Sequence, residues 1–238
     1  MNYYGTSEYY ERIKDLEEKV FSNITFEEPE RIKELELGYS VKYYYFADDD
    51  NRIPGHAPVD GEICRLYVNE ELIYEWKNTD GNSRMAKIIH HSDGDSYFVF
   101  DEDLYGYSVL RLSDLTCMHY IPAEAYVNNA GEYAETFIWC DCYYNRVNNV
   151  LAVEGCYWAC PNSVIVLDFS NPMKAVEARE WKDLLGKCKD LHPDTEEIQF
   201  GEWDGCNLIC KTDDDQTVQI ALNDKNEEKN VSIKRFDK

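Results

Sequence analysis

The chain has 238 residues, 44% hydrophobic and 30% charged, the composition of a globular protein long enough to bury a substantial core. Acidic residues outnumber basic ones 47 to 24, a net charge of −23. Phosphate backbones and anionic membranes both recruit Lys and Arg, so this balance argues against nucleic acid and membrane partners and points to a basic protein.

Met1–Gly5 has neither a basic start nor an apolar signal core, and no run of about eighteen apolar residues occurs. Nine Cys at irregular spacing fit reduced thiols better than a disulfide framework, so the expected location is cytoplasmic. The heavy aromatic load, nineteen Tyr, nine Phe and five Trp, favours pleated sheets, where flat rings pack on cross-strand neighbours.

Residues 7–21 predict an amphipathic helix, with Ser7 as N-cap, Glu8 and Glu11 in the first turn, and Tyr10, Ile13, Leu16 and Val20 as the buried stripe. Pro29 opens a second short helix through Leu35, with Ile32 and Leu35 inward, and Gly38 ends it. From Tyr39 onward the pattern is that of strands.

Three segments, Tyr97–Leu115, Val150–Phe169 and Leu208–Leu222, share one layout: apolar strand, polar or Gly-containing turn, second apolar strand. Each is followed by another extended piece, Cys117–Ile121, Met173–Ala178 and Val231–Phe236, and preceded by a first strand at Lys87–His91, Phe137–Tyr143 and Glu202–Cys206. Ile63–Val68 and Leu72–Trp76 form an earlier, weaker copy. The spacing of about fifty residues is that of a four-stranded antiparallel meander, the unit of a propeller blade. The expected fold is mainly β: antiparallel four-stranded meander repeats, propeller-like but open or incomplete, with short N-terminal helices. Residues 1–38 form a helical segment packed on the sheet, and 39–238 a single compact β domain. Ala47–Gly61 and Glu177–Phe200 read as long connections, the second beginning with a helical stretch, Ala178–Leu185.

The richest local chemistry is Trp139–Tyr144 with Gly155–Pro161. Cys140 and Cys142 share a face if their strand alternates regularly, and Cys156 and Cys160 can share one too. Four sulfurs on adjacent strands would suit a tetrahedral zinc site in a metal-stabilised module, whereas small apolar thiols in a core are the plainer reading. Cys206 and Cys210 repeat the four-residue separation, which favours repeat packing. His90–Asp95 contains the hairpin turn Asp93-Gly94. The runs Tyr43–Phe46, Tyr143-Tyr144 and Tyr157-Trp158 are candidate recognition surfaces. No P-loop, dinucleotide turn, His-Glu-x-x-His or Gly-x-Ser-x-Gly occurs.

The segment Asn148–Pro161, with Gly155-Cys156-Tyr157-Trp158-Ala159-Cys160-Pro161, followed by Asp168-Phe169-Ser170-Asn171-Pro172-Met173, resembles a group of uncharacterised bacterial proteins that share a Gly-Cys-x-Trp-x-Cys-Pro hairpin and a downstream Asp-Phe-x-x-Pro-Met. The resemblance implies a bacterial origin and no activity. In this motif Gly155 permits close approach, Pro161 ends the strand and Trp158 anchors the hairpin. Pro29–Glu36 is similar to the SMI1/KNR4-like domains used as toxin-immunity proteins, although the downstream Leu-Pro element of that family is missing.

The expectation is a non-enzymatic, acidic interaction scaffold, immunity- or inhibitor-like, with no catalytic residue and no cofactor assigned. The alternative is a hydrolase or small-ligand enzyme with a loop-lined cleft, for which Cys156, Cys160, His90, His91 and His119 are the residues to test.

Overall fold

A computed structural model describes residues 1–52, 54–55, 57–80, 85–126, 136–191, 193–214, 216–222 and 233–235. The chain is mainly β, built as four antiparallel four-stranded sheets that follow one another along the sequence. The first contains β1 (Arg31–Glu34), β2 (Tyr39–Asp48), β3 (Val59–Val68) and β4 (Glu71–Asn78). The second contains β5 (Ala86–His90), β6 (Ser96–Phe100), β7 (Tyr107–Arg111) and β8 (Cys117–Tyr120). The third is β9 (Ile138–Asn145), β10 (Val150–Cys156), β11 (Asn162–Asp168) and β12 (Lys182–Asp183). The fourth is β13 (Ile198–Asp204), β14 (Asn207–Thr212), β15 (Thr217–Ala221) and β16 (Ile233–Arg235). Each sheet is a simple meander, and the set is open rather than closed into a ring.

Successive strand residues face opposite sides of a sheet, so an internal sheet must be apolar on both faces. On β7, Leu110 packs toward the first sheet against Val41, Tyr43, Leu66 and Trp76. Its neighbour Val109 packs toward the third sheet with Trp139, Leu151 and Ile165. The third sheet repeats the device: Leu151 and Val153 turn to the second sheet, while Val150 and Ala152 turn to Leu208, Cys210, Val218 and Ile220 of the fourth.

The N-terminal helix α1 (Ser7–Lys19) closes the outer face of the first sheet. Its N-cap is Thr6 rather than Ser7, because Thr6 Oγ1 accepts from the Tyr9 amide at 3.2 Å. Leu16, Val20, Phe21 and Ile24 pack on Tyr44 and Ile63. Tyr10 is exposed and does not join the expected stripe. At the other end, β14 and β15 bury Leu208, Cys210, Val218 and Ile220 and leave Ile209, Lys211, Thr217 and Gln219 half-exposed or exposed. Among the described residues the stack thus ends in a helix at one side and a mostly polar sheet face at the other.

Several expected elements differ. Residues 31–34 are a strand, not a helix: Arg31 pairs with Tyr43 and Glu34 with Ser40, and the Glu30 amide donates to Tyr43 O at 2.9 Å. Pairing with β2 outweighs the local helical signal, and Ile32 faces solvent. Met173–Ala178 is not a strand; its backbone is held by side chains, the Tyr107 hydroxyl accepting from Val176 N–H and the Tyr120 hydroxyl from Ala178 N–H. The third sheet instead takes its fourth strand from Lys182–Asp183, and the helix expected at 178–185 is displaced to α2 (Leu185–Leu191). Val231–Phe236 lies partly outside the described residues, which show only Ile233–Arg235 paired there. Trp158 is exposed and does not anchor its hairpin; Tyr157 does, edge-on to Phe137 at 5.3 Å.

Among the described residues three strands carry β-bulges that the alternation rule cannot anticipate; on β4 the extra residue is Ile73. On β9, Asp141 opposes Glu154 and Trp139 opposes Gly155, leaving Cys140 as the extra residue. On β13 the extra residue is Gly201, between Phe200 and Glu202. The bulge on β9 requires glycine opposite it, since a Cβ on Gly155 would stand 1.9 Å from Ile138 O. Gly155→Ala is expected to destabilise the fold by about 3 kcal/mol or more, measured by urea unfolding. Gly186→Ala, inside α2 with nothing near its Cβ, should be neutral or stabilising by up to about 1 kcal/mol. Equal effects of the two substitutions would contradict this role for Gly155.

Candidate functional site: an aromatic groove across three sheets

Where the first strands of the second, third and fourth sheets come together, they leave an open groove of about 600 Å³. Lys87–His90 of β5, Cys142–Tyr144 of β9 with Arg146, and Phe200–Trp203 of β13 line it. Two of the bulged strands, β9 and β13, are in this wall, and Gly201 itself lines it. A bulge bends its strand and re-aims the neighbouring side chains, so sequence periodicity gives little guide to what faces the groove.

The groove is floored by rings. Tyr143 and Phe200 lie stacked, centroids 3.8 Å apart and planes 3° from parallel, joining the third sheet to the fourth. Trp203 meets Phe200 at 6.0 Å and 62°, and its indole N–H donates to Tyr143 O at 3.3 Å. The Phe200 amide donates to Glu154 Oε2 at 2.9 Å, and Asn145 Nδ2 donates to Gly205 O at 2.8 Å. These cross-sheet bonds hold the rings in place. On the far side of Tyr143, Lys87 Nζ sits 4.8 Å from the ring centroid and 3.2 Å from Asp141 Oδ1. Burial and the Asp141 charge hold the Tyr143 phenol protonated well above its ordinary range. Burial lowers the pKa of the nearby Lys33 ammonium, opposed by Asp141 and reinforced by Lys87.

The candidate metal ligands are placed apart by the same bulge. Cys142 is fully buried in the core between the second and third sheets. Cys140, the extra residue, is not part of that core, so the regular alternation that would put both sulfurs on one face does not hold. Cys156 ends β10 opposite Ile138 and Asn162, and Cys160 is exposed in the following turn. Among the described residues no group of three or more His, Cys, Asp and Glu is placed to hold a metal ion.

The histidines are also separated. His90 is exposed and bonds Ser96 and Glu36. His91 is buried, with Nε2 2.9 Å from Phe169 O and Nδ1 accepting from the Asp93 amide beside the Asp93-Gly94 turn. His119, on β8, belongs to a polar cluster at a separate cleft of about 250 Å³. Its Nδ1 lies 2.5 Å from Glu102 Oε2, 3.0 Å from Ser108 Oγ and 3.8 Å from Cys117 Sγ, and Tyr4 stacks on the ring. Three partners converge on one nitrogen. A thiol–imidazole–carboxylate relay needs the carboxylate and the nucleophile on opposite nitrogens, and this arrangement does not provide that.

Cys117 and His119 could be seen as a Cys-x-His pair on one strand face, but Glu102 and Ser108 could not be tied to them without the strand register. Of the aromatic runs, Tyr143 and Tyr144 do line the groove, whereas Tyr43 and Tyr44 are buried. Phe200 and Trp203 carry no sequence signal beyond Trp203 standing between Glu202 and Asp204.

Fold and groove define an open, propeller-like antiparallel β protein. No protein-family model matches the sequence, and no curated protein matches it. Among solved structures the chain is similar to the β-propeller domain of Cps50 (Swd1) from Myceliophteria thermophila, at 9% identity and a TM-score of 0.36, covering 90% of this chain and 72% of that one.

Burial alone would lower the His119 pKa, but hydrogen bonds to Cys117 and Glu102 and the charge of Glu102 override it and raise the value to about 10. A folded-state pKa above the unfolded value of about 6.5 contributes stability that is fully present below that value and lost as pH rises through 10. Unfolding free energy is therefore expected to decline from about pH 6.5 to 10, and His119→Gln should flatten that decline. A wild-type-like slope in His119→Gln would remove His119 as its source.

Proposed function

We propose that this chain is a non-enzymatic, cytoplasmic interaction scaffold that engages a basic protein partner, in the manner of an immunity or inhibitor protein. The observation that carries this reading is the open groove, whose floor is the rigid ring set Tyr143, Phe200 and Trp203 on a chain of net charge −23. Large pre-positioned rings offer contact area at little entropic cost, and aromatic anchors dominate protein interfaces. The acidic excess supplies attraction at a distance, which speeds encounter and selects basic partners more than it sets the final affinity. The motif shared by Gly155–Pro161 and Asp168–Met173 supports a bacterial setting for such a pair.

The test is capture of binding proteins by the purified chain at low and moderate salt, beside Phe200→Leu, which keeps the apolar volume but removes the stacked ring. The reading predicts one dominant basic protein whose association slows several-fold as ionic strength rises past about 0.15 M and whose retention falls about tenfold in Phe200→Leu. A captured protein indifferent to both salt and Phe200→Leu, or no basic protein at all, would overturn it.

A further inference from the structure

Hairpins from all four sheets end on one side of the molecule. Glu36, between β1 and β2, lies 3.1 Å from Nε2 of His90 at the end of β5. Ser92, between β5 and β6, donates to Asn149, between β9 and β10. Asn148 Nδ2 donates to the carbonyl of Cys206, between β13 and β14, at 3.5 Å. His90 and Arg146 belong to this end and also line the groove, so the two surfaces are continuous. Three large apolar side chains stand out from these tips: Leu37 at 70% exposure, Leu115 at 42% and Val147 at 70%. None of the three belongs to a core cluster, whereas their neighbours Leu35 and Leu112 pack on the core between the first and second sheets.

The two leucines are held at a backbone cost. Leu37 has φ 56° and Leu115 φ 58°, in the left-handed region that a bulky side chain seldom enters. On the same tips Asn69, Gly94, Asn149 and Gly205 also take positive φ, and those residue types suit it. The β7–β8 and β9–β10 hairpins allow a direct comparison. Each has a four-residue loop, 112–115 and 146–149, whose last residue is left-handed; one uses Leu115 and the other Asn149. Neither the turn nor the core calls for leucine there. Strain kept at an exposed position points to use of that side chain by something outside the chain.

The tips are also acidic. Among the described residues they carry Glu36, Glu70, Asp93, Asp95 and Asp114 against one Arg, Arg146, and no Lys. Arg111, at the end of β7, pairs with Asp114 at 3.0 Å and still leaves the carboxylates in excess. Apolar side chains set among carboxylates fit a partner that presents apolar residues among lysines and arginines. Resting on the scaffold reading, we infer that this hairpin-tip face is where the basic partner docks, with Leu37 and Leu115 as apolar anchors and the surrounding carboxylates selecting its charge. The groove is then one margin of a larger interface.

The probe is the peptide acetyl-Lys-Leu-Lys-Leu-Lys-Leu-amide, titrated against the intact chain and followed by backbone amide resonances. Its analogues with Glu for every Lys, and with Ser for every Leu, control for charge and for apolar contact. The Lys-Leu peptide should shift the amides of residues 36–38 and 113–116 saturably, with both analogues at least about threefold weaker. The double variant Leu37→Asn/Leu115→Asn should relieve the strain and raise the folding equilibrium constant about fivefold or more in urea unfolding. The same variant should weaken binding of the Lys-Leu peptide about tenfold. No saturable shift, shifts confined to another part of the chain, equal responses to the three peptides, or unchanged binding by the double variant would overturn the inference. A double variant less stable than the wild type would overturn it as well, because the leucines would then be structural. A basic protein captured equally by wild type and double variant would overturn the docking face while leaving the scaffold reading intact. The peptide titration needs no captured protein, so failure of the capture experiment is a separate result.

Discussion

The rest of the structure depends on burial from both sides. A meander of four short strands is stable only when its apolar surface is covered. Here each internal sheet is covered twice, so neighbouring residues such as Val109 and Leu110 are both buried although they point in opposite directions. Stacking therefore has to end somewhere, and the two ends differ. At the first sheet, Leu16, Val20 and Phe21 cover Tyr44 and Ile63, each buried side chain contributing about 1.5–3 kcal/mol. At the fourth, the described outer positions are Ile209, Lys211, Thr217 and Gln219, mostly polar and half-exposed or exposed. With both ends satisfied, the array does not need to close into a ring, which agrees with the general requirement of stacked repeats for distinct terminal units.

Openness leaves the first strands of three sheets facing a shared groove instead of a narrow closed channel. The groove is made by joints rather than by loops: a ring stack, an indole hydrogen bond and an amide held by Glu154 tie the third sheet to the fourth. Within it Lys87 is matched by Asp141. His119 with Glu102 is a second polar concentration, but its partners crowd one nitrogen, and it acts as a joint between β7, β8 and the N-terminal residues.

The sequence disclosed the repeat and little of the site. Runs such as Ser163–Leu167 and Thr217–Ala221 gave the meander spacing because β-branched residues between turns favour strands in any packing, and the strand at Lys87–His91, with Ile88 and Ile89, was legible for the same reason. Residues 31–34 and 173–178 were not. Their local signals are helical and extended, yet the first is captured by pairing with β2 and the second by the hydroxyls of Tyr107 and Tyr120, contacts more than sixty residues distant in the latter case for Val176. The four-sulfur arrangement depended on strict alternation through Trp139–Tyr144, and one extra residue at Cys140 breaks it. The groove itself combines residues from three sheets, which no local pattern can assemble.

The most direct test is native-state amide exchange in Val20→Asp, which places a charge where α1 covers the first sheet. Two-sided burial predicts that exchange in β2 and β3 accelerates at least tenfold, about 1.4 kcal/mol or more, while β10 and β11 in the third sheet change little. Uniform acceleration across all four sheets, or none in β2 and β3, would contradict the dependence of each sheet on its immediate covers.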